Sequence, residues 1–224
     1  NQANNAMNIN RMTTSYREDV LCHTKPCLHR WYIHSFPDPT AWLEARNLFT
    51  HSAAVWSVVG HVVGLGDRHT ENVLIDFTNG ECVHVDFDCL FDKGLTLQRP
   101  EIVPFRLTPN MIDAMGLLGV EGTFRRTMEV VMSLLRENRD TLLAVIEPFL
   151  RDPTVAWGRA GKAQRGEIVA AQKIGKEVPN KDNADAKEAL SKISGRLKGV
   201  YNLTHPQAKR IIEQYVQRKD TLPL

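Results

Sequence analysis

The sequence predicts an α+β fold that is mostly helical and carries one small β-hairpin. Apolar or small residues recur at helical spacing from Trp42 to Val63, and helical periods return in 120–137 and 140–150. Between these regions, Asn79-Gly80 lies between two short apolar runs, 73–75 and 82–85. Asn and Gly accept the positive φ angles of tight turns, so these runs are expected to pair as antiparallel strands.

The elements before the hairpin follow from local signals. Residues 1–16 are Asn-rich and polar, without the apolar stretch of a signal peptide, and are expected to form a polar leader. A short helix is predicted over about 26–34, and Pro37-Asp38-Pro39 ends it. Thr40 is expected to cap the long helix that follows, and Gly64 and Gly66 are expected to end it.

The chain after the hairpin alternates between irregular and helical stretches. Residues 89–104 show little periodicity, and a short helix is predicted from about Pro109. The predicted helices over 120–137 and 140–150 are joined at Asn138-Arg139. Residues 158–183 lack aromatic residues and are rich in charge, which predicts a mobile linker. Helices are expected again over 184–198 and 206–218.

Composition excludes several classes of protein. The 224 residues include 28 basic and 26 acidic ones, so the net charge of +2 indicates neither a nucleic-acid nor a membrane partner. The most apolar run, 53–66, is shorter than the roughly 20 residues that span a bilayer, and His61 interrupts it. Four scattered cysteines indicate free thiols in a reducing compartment, and the Cys and His residues of 22–34 match no familiar zinc spacing.

The hairpin and the loop before it concentrate acidic and amide side chains. If the hairpin is centred on Asn79, residue 73 pairs with 85, 74 with 84, and Asn72 lies opposite Asp86. Opposed residues have Cβ atoms roughly 5 Å apart, so both side chains could reach one Mg²⁺ at about 2.1 Å. Asp67 lies in the loop that starts with Gly and leads to this pair. The pattern therefore predicts a metal site with a neighbouring general base.

These residue types are those of phosphoryl transfer, in which one Asp accepts the proton of the attacking hydroxyl while an Asn and a second Asp hold Mg²⁺. The order here is Asp67-Arg68-His69-x-x-Asn72, followed by Val85-Asp86-Phe87. With Phe36 to Thr40 and Pro100 to Thr108, this pattern resembles the phosphatidylinositol 3-kinase-related protein kinases, most closely their ATR-type DNA-damage checkpoint branch. The resemblance extends from about Tyr16 to Trp157.

The resemblance implies a nuclear Ser/Thr protein kinase that uses ATP with Mg²⁺, or with Mn²⁺ as an alternative. It also implies a DNA-sensing regulatory subunit as partner, and protein substrates in which the hydroxyl residue precedes Gln. Asp67 would orient the substrate hydroxyl, His69 would stabilise the transferred phosphoryl group, and Asn72 and Asp86 would bind the metal and ATP. Arg68 is expected to form a structural ion pair or to fix the loop, and His84, inside a strand, to lie in the core or to support the site residues.

In this family, residues 17–157 would be the C-terminal lobe of the catalytic domain, with a catalytic loop at 65–72 and an activation loop at 86–108. Residues 184–224 would precede a further tail domain. No Gly-rich phosphate loop or strand Lys lies upstream in the sequence, so we expect the chain to be a fragment that is inactive by itself.

Two alternatives of different class stay open from the sequence. A phosphoinositide lipid kinase shares the motif, but its substrate loop would need clustered basic residues. Residues 86–106 instead carry three basic residues against four acidic ones. The chain could also be a non-catalytic scaffold or binding fragment. Direct nucleic-acid binding by 159–198 is not expected, because its basic residues alternate with acidic ones and lack aromatic neighbours.

Overall fold

A computed structural model describes residue 11 and residues 14–97, 101, 103–150 and 182–199. Its α-helices are α1 (Leu28–Ser35), α2 (Pro39–Val63), α3 (Pro109–Ala114), α4 (Thr123–Glu137), α5 (Arg139–Leu150) and α6 (Asp182–Leu197). Strands β1 (Val73–Ile75) and β2 (Cys82–His84) form the hairpin. Shorter helical turns cover Tyr16–Leu21, Lys93–Thr96 and Gly119–Glu121. The mostly helical fold with one small sheet is therefore confirmed.

Helix α2 is the central element and has defined caps at both ends. The Asp38 carboxylate accepts hydrogen bonds from the backbone N–H groups of Thr40 and Ala41, and Pro39 occupies the first helical position. The prediction that Thr40 caps the helix is therefore wrong: Asp38 precedes the Pro, so its extended backbone aims the carboxylate at the free N–H groups. At the other end, Gly64 adopts a left-handed conformation with φ of 67°.

The main hydrophobic core forms on one face of α2. Ala45, Phe49, Ala53 and Ala54 are buried there and contact side chains from α1, β2, α3 and α4. The contacting buried residues are Tyr32, Cys82, Met111, Ala114, Met115 and Phe124. Small Ala side chains along α2 allow the hairpin and neighbouring helices to approach closely. The hairpin is thus fixed to the most deeply buried part of the molecule.

The hairpin pairs one residue out of the predicted register. Val73 lies opposite His84, Leu74 opposite Val83, and Ile75 opposite Cys82. Asn72 therefore pairs with Val85, not with Asp86, and its carbonyl accepts the Val85 N–H at 3.1 Å. The cause is the turn. Asp76 N–H donates to the Glu81 carbonyl, which leaves four residues, 77–80, in the loop instead of a loop centred on Asn79.

Helix α6 packs against the C-terminal end of α2. Ile193 and Leu197 are buried with Val62, and residues of α4 and α5 surround them. The helix begins at Asp182, two residues before its predicted start, inside the range assigned to the linker. The rest of the predicted linker and the predicted helix over 206–218 lie outside the described residues. No described helix is long and apolar enough to cross a membrane.

Candidate active site

The site begins in the loop that leaves α2. After Gly64 the loop runs beside residues 89–92, and three backbone hydrogen bonds join the two segments. Phe91 N–H donates to the Val63 carbonyl, Asp92 N–H to the Gly64 carbonyl, and Gly66 N–H to the Cys89 carbonyl, at 2.7–3.0 Å. Asp67 directly follows the segment 63–66, and Asp86 precedes the segment 89–92. The pairing therefore holds together the two segments next to which these candidate site residues lie.

Arg68 joins the two halves of the site. Its side chain is buried, with 6% of its surface exposed, and its guanidinium donates to backbone carbonyls on both sides. The acceptors are Gly66 at 2.9 Å, Val85 at 2.8 Å, and Asp86. A weaker contact of 3.5 Å reaches Asn72. Arg68 thus fixes the loop through main-chain carbonyls, as the loop-fixing prediction proposed.

Asn72 is also buried, and its amide nitrogen is used within the loop. Nδ2 donates to the Asp67 carbonyl at 2.9 Å and lies 3.2 Å from His69 Nε2. His69 Nδ1 accepts the backbone N–H of Glu71 at 3.2 Å, which holds the exposed ring over the loop. With its nitrogen occupied in this way, the Asn72 side chain presents its carbonyl oxygen Oδ1 as the atom that could bind a cation.

Asp67 and Asp86 share an uncommon backbone conformation. Their φ angles are 59° and 58°, in the left-handed region that non-Gly residues rarely occupy. Asp and Asn tolerate this region better than other residues do, because their short polar side chains bond locally. Asp86 Oδ1 accepts the Asp88 N–H at 3.1 Å in this way. At Asp86 the positive φ turns the chain away from the strand direction, directly after Val85 pairs with Asn72.

Glu101 is a residue of the site that sequence reasoning did not select. Its Oε2 accepts the backbone N–H of Asp67 at 2.6 Å, although 34 residues separate the two. Its own N–H donates to the Gly94 carbonyl at 3.1 Å. Nearby, Arg106 Nη1 donates to the Arg68 carbonyl at 3.3 Å. No local sequence pattern predicts these contacts, because they depend on how the predicted activation loop (86–108) lies against the predicted catalytic loop (65–72).

Burial and charge affect the ionisable groups around these residues. His84 stacks on Trp56, with ring centroids 4.8 Å apart, and its buried Nδ1 lacks a hydrogen-bond partner within the described residues. Burial and the positive Arg68 lower the pKa of His84 to about 4, so the ring is neutral near pH 7. Burial, then the carboxylates of Glu101 and Asp67, raise the pKa of the Cys89 thiol. The neutral His84 ring therefore contributes to packing, and the environment of Cys89 favours the protonated thiol over the thiolate.

The donor set fits a magnesium ion. Asn72 Oδ1 and the Asp86 carboxylate are hard oxygen ligands of the kind that Mg²⁺ prefers. Within the described ranges, groups of three or more His, Cys, Asp or Glu residues arranged to hold a metal are absent. Mg²⁺ commonly uses only one or two protein ligands together with phosphate oxygens, so the fit to Mg²⁺ stands.

Comparison with known proteins gives consistent matches. Residues 2–159 match the family model described as phosphatidylinositol 3- and 4-kinase. The Arabidopsis thaliana protein named "Serine/threonine-protein kinase ATR" is 48% identical over 175 residues, which are 78% of this chain and 6% of that protein. "Protein kinase rad3" of Schizosaccharomyces pombe is 53% identical over 144 residues, 64% of this chain and 6% of that protein.

Among solved structures, "FAT and kinase domain of CtTel1" superposes with a TM-score of 0.66 and 30% sequence identity. The match covers 84% of this chain and 12% of that one. The chain thus corresponds to a small part of the length of each of these relatives.

Proposed function

The chain belongs to the phosphatidylinositol 3- and 4-kinase family, and from this we propose that it supplies the catalytic loop and metal ligands of an ATP-dependent Ser/Thr protein kinase. The observation that best supports this proposal is a set of hydrogen bonds that we call the Arg68 bridge. In it, one guanidinium donates to the backbone carbonyls of Gly66, Val85 and Asp86. It holds the loop with the candidate base against the segment with the candidate metal ligand. Such fixed placement is most of what phosphoryl transfer requires of a protein.

Each site residue has a proposed role. Asp67, held through its backbone N–H by Glu101, orients the substrate hydroxyl and accepts its proton. Asn72 and Asp86 bind Mg²⁺ with ATP through their oxygens. When bound, the metal neutralises charge on the phosphates of ATP. His69 lies beside the transferred phosphoryl group and stabilises its charge.

A protein substrate is proposed over a lipid headgroup. A lipid phosphate would need free basic side chains in the activation segment. In the described part of that segment, Lys93 Nζ donates to the Asp88 carbonyl at 3.2 Å and Arg106 donates to the Arg68 carbonyl. Both are therefore engaged with backbone. The names of the relatives, serine/threonine-protein kinase ATR and protein kinase rad3, also favour a protein substrate.

We further propose the cellular role that accompanies this branch: action in the nucleus in DNA-damage checkpoint signalling, with a DNA-sensing partner subunit. The support is 48% identity to the plant ATR kinase and 53% identity to rad3. The preferred substrate would be Ser or Thr followed by Gln.

The test is a chimera of the Arabidopsis relative in which the matched segment is replaced by this chain. We expect the chimera to phosphorylate a Ser-Gln peptide with Mg²⁺ and ATP. Asp67→Asn should lower kcat by about 10²-fold or more, since removing a catalytic base costs roughly 10²–10⁴. Asp86→Asn should also lower kcat, because it removes the negative charge of a proposed Mg²⁺ ligand. Asn is the suitable replacement because it tolerates the positive φ at both positions.

Asp140→Asn is the matched control, because this carboxylate lies on the surface of α5 with 85% of its side chain exposed. It should leave kcat unchanged. Phosphorylation of phosphatidylinositol vesicles in place of the peptide would identify a lipid kinase. A folded chimera that phosphorylates neither substrate would favour the non-catalytic scaffold.

A further inference from the structure

A partly buried ion pair joins helix α6 to Asp92, which directly precedes the helical turn Lys93–Thr96. Arg196 Nη2 lies 2.6 Å from Asp92 Oδ1, and the two side chains are only 19% and 14% exposed. The residues are 104 positions apart in the chain. Lys192, on the same helix, reaches Asp92 Oδ2 only at 4.0 Å and pairs at 2.8 Å with Glu188. Arg196 is therefore the main partner of Asp92.

The same guanidinium also contacts the end of α2. Arg196 Nη1 donates to the Val62 carbonyl at 3.3 Å, in the last turn of that helix. A cation there interacts favourably with the unpaired carbonyls of a helix C-terminus. A methyl group at Gly64 would lie 2.5 Å from Asp92 Oδ1 and 3.0 Å from Arg196 Nη1. Gly64 thus leaves the space that the ion pair occupies.

The two residues that Arg196 contacts, Val62 and Asp92, are close in the chain to the proposed site residues. Val62 is five residues before Asp67, and Asp92 is six residues after Asp86. The segments between them are joined by the bonds from Phe91 to Val63, Asp92 to Gly64 and Gly66 to Cys89. Asp92 has a φ of 63°, so the residue whose side chain is paired also has an unfavourable backbone conformation.

We propose that Arg196 is a positioning residue, which pairs with Asp92 and the end of α2 so that the segments carrying Asp67 and Asp86 stay aligned. The inference rests on the proposed function for its kinetic consequence, whereas its structural consequence can be measured without catalysis. Helix α6 itself has other anchors: Ile193 and Leu197 are buried, and Arg136 Nε donates to the Leu197 carbonyl at 2.8 Å. Removing the Arg196 side chain should therefore leave the helix docked.

The first experiment is hydrogen–deuterium exchange on the 224-residue chain with Arg196→Met. The amides of Gly66, Phe91 and Asp92 should exchange about tenfold faster or more, because the bonds between the two segments open more often. Arg125→Met is the matched control, since Arg125 pairs on the exposed surface of α4 with Glu121 and Glu129. It should leave these three amides unchanged. Unchanged exchange in Arg196→Met would overturn the proposal.

A double-mutant cycle distinguishes the loss of the ion pair from a general loosening of α6. Asp92→Asn removes the other partner and keeps a side chain that tolerates positive φ. If the two groups act together, the double variant should exchange no faster than the faster single variant. Additive effects would contradict the pairing, and Arg196→Lys, which keeps the charge, should give an intermediate rate.

The kinetic arm uses the chimera described above. Arg196→Met should lower kcat for the Ser-Gln peptide about tenfold while the KM for ATP changes less than twofold, because misplacement of reacting groups acts on the chemical step. Normal kcat with faster exchange would show that the pair does not position the catalytic residues. If the unsubstituted chimera itself has no activity, the proposed function fails, and the exchange measurements still decide whether the pair holds the segments.

Discussion

At Gly66 a single added carbon would disturb the neighbours of Asp67. A methyl group there would lie 2.8 Å from Glu101 Oε2, 2.9 Å from the Gly94 Cα and 3.1 Å from Cys89 Sγ. Gly94 Cα is backbone, so it cannot move aside like the end of a side chain. The loop before Asp67 therefore needs Gly for close approach between chain segments, and not for a positive φ.

Gly66→Ala should destabilise the chain by about 1–3 kcal/mol, the usual cost of overpacking. Gly60→Ala is the matched substitution within α2, where the new methyl would contact Leu65 atoms at an ordinary 3.6 Å. Ala in a helix interior is favoured over Gly by about 0.5–1 kcal/mol, so this variant should be neutral or more stable. Urea unfolding of both variants gives the comparison, and equal stability of Gly66→Ala and the unsubstituted chain would contradict the packing argument.

At the scale of single residues, the sequence motif identified Asp67, His69, Asn72 and Asp86 as candidate site residues. Their roles remain predictions. The residues could be selected because their motif is local, within twenty residues of chain. Glu101 and Arg196 were not selected, because each acts across a gap of 34 or more residues. Ordinary charged residues carry no signal of a distant partner in a single sequence.

The hairpin is held to the helical core through its turn. Gly80 has a φ of 80°, and a methyl group there would meet Tyr32 Cε1 at 2.8 Å and Ala45 Cβ at 2.9 Å. The Tyr32 hydroxyl donates to the Gly80 carbonyl at 2.7 Å, and Tyr32 is 1% exposed. Burial raises the pKa of Tyr32, so the phenol keeps the proton that it donates. A three-residue strand pair is thereby anchored on α1.

Tyr32→Phe should lower the free energy of unfolding by about 1–3 kcal/mol, because the buried Gly80 carbonyl loses its donor. Tyr16→Phe is the control, since Tyr16 is 52% exposed and should change stability by less than about 0.5 kcal/mol. Thermal unfolding followed by circular dichroism measures both. A Tyr32→Phe variant as stable as the control would mean that the turn does not depend on this bond.

At the element scale, periodicity predicted the helices, because burial against a core repeats every turn. It also predicted the hairpin but not its register. The Asp76 carboxylate accepts the backbone N–H and the hydroxyl of Thr78, at 2.7 and 2.6 Å, and this starts the turn earlier than Asn79-Gly80 alone indicates. The shift of one residue replaces Asp86 by Val85 opposite Asn72. Asp86 itself has a positive φ, and Arg68 binds its backbone carbonyl.

For the whole molecule, His61 makes stability depend on pH. Burial, and then the positive charge of Arg196, lower the pKa of His61 to about 4, against an opposite effect of Asp92. Its usual pKa is about 6.5, so the unfolded chain binds this proton at a higher pH than the folded chain does. The contribution of the neutral His61 ring to the free energy of unfolding is fully present above pH 6.5 and is lost as the pH falls towards 4.

The free energy of unfolding should therefore fall by up to about 1.4 kcal/mol per pH unit from this one group between pH 6.5 and 4. His61→Gln cannot take up the proton and should show a shallower decline over the same range. Urea unfolding at pH 7, 6 and 5 compares the two. Parallel declines would show that His61 does not titrate differently in the folded state.

The family resemblance seen in the sequence is confirmed by the match of residues 2–159. Helix α6, however, lies beyond that range, and it covers Val62 and reaches Asp92 at the base of the proposed site. The packed core of the described residues therefore extends beyond the recognised family region. A shortened protein that ended at residue 159 would keep every residue of the motif. It would nevertheless expose apolar side chains of α2, α4 and α5 that pack against α6, and it would leave the partly buried Asp92 carboxylate without its cation.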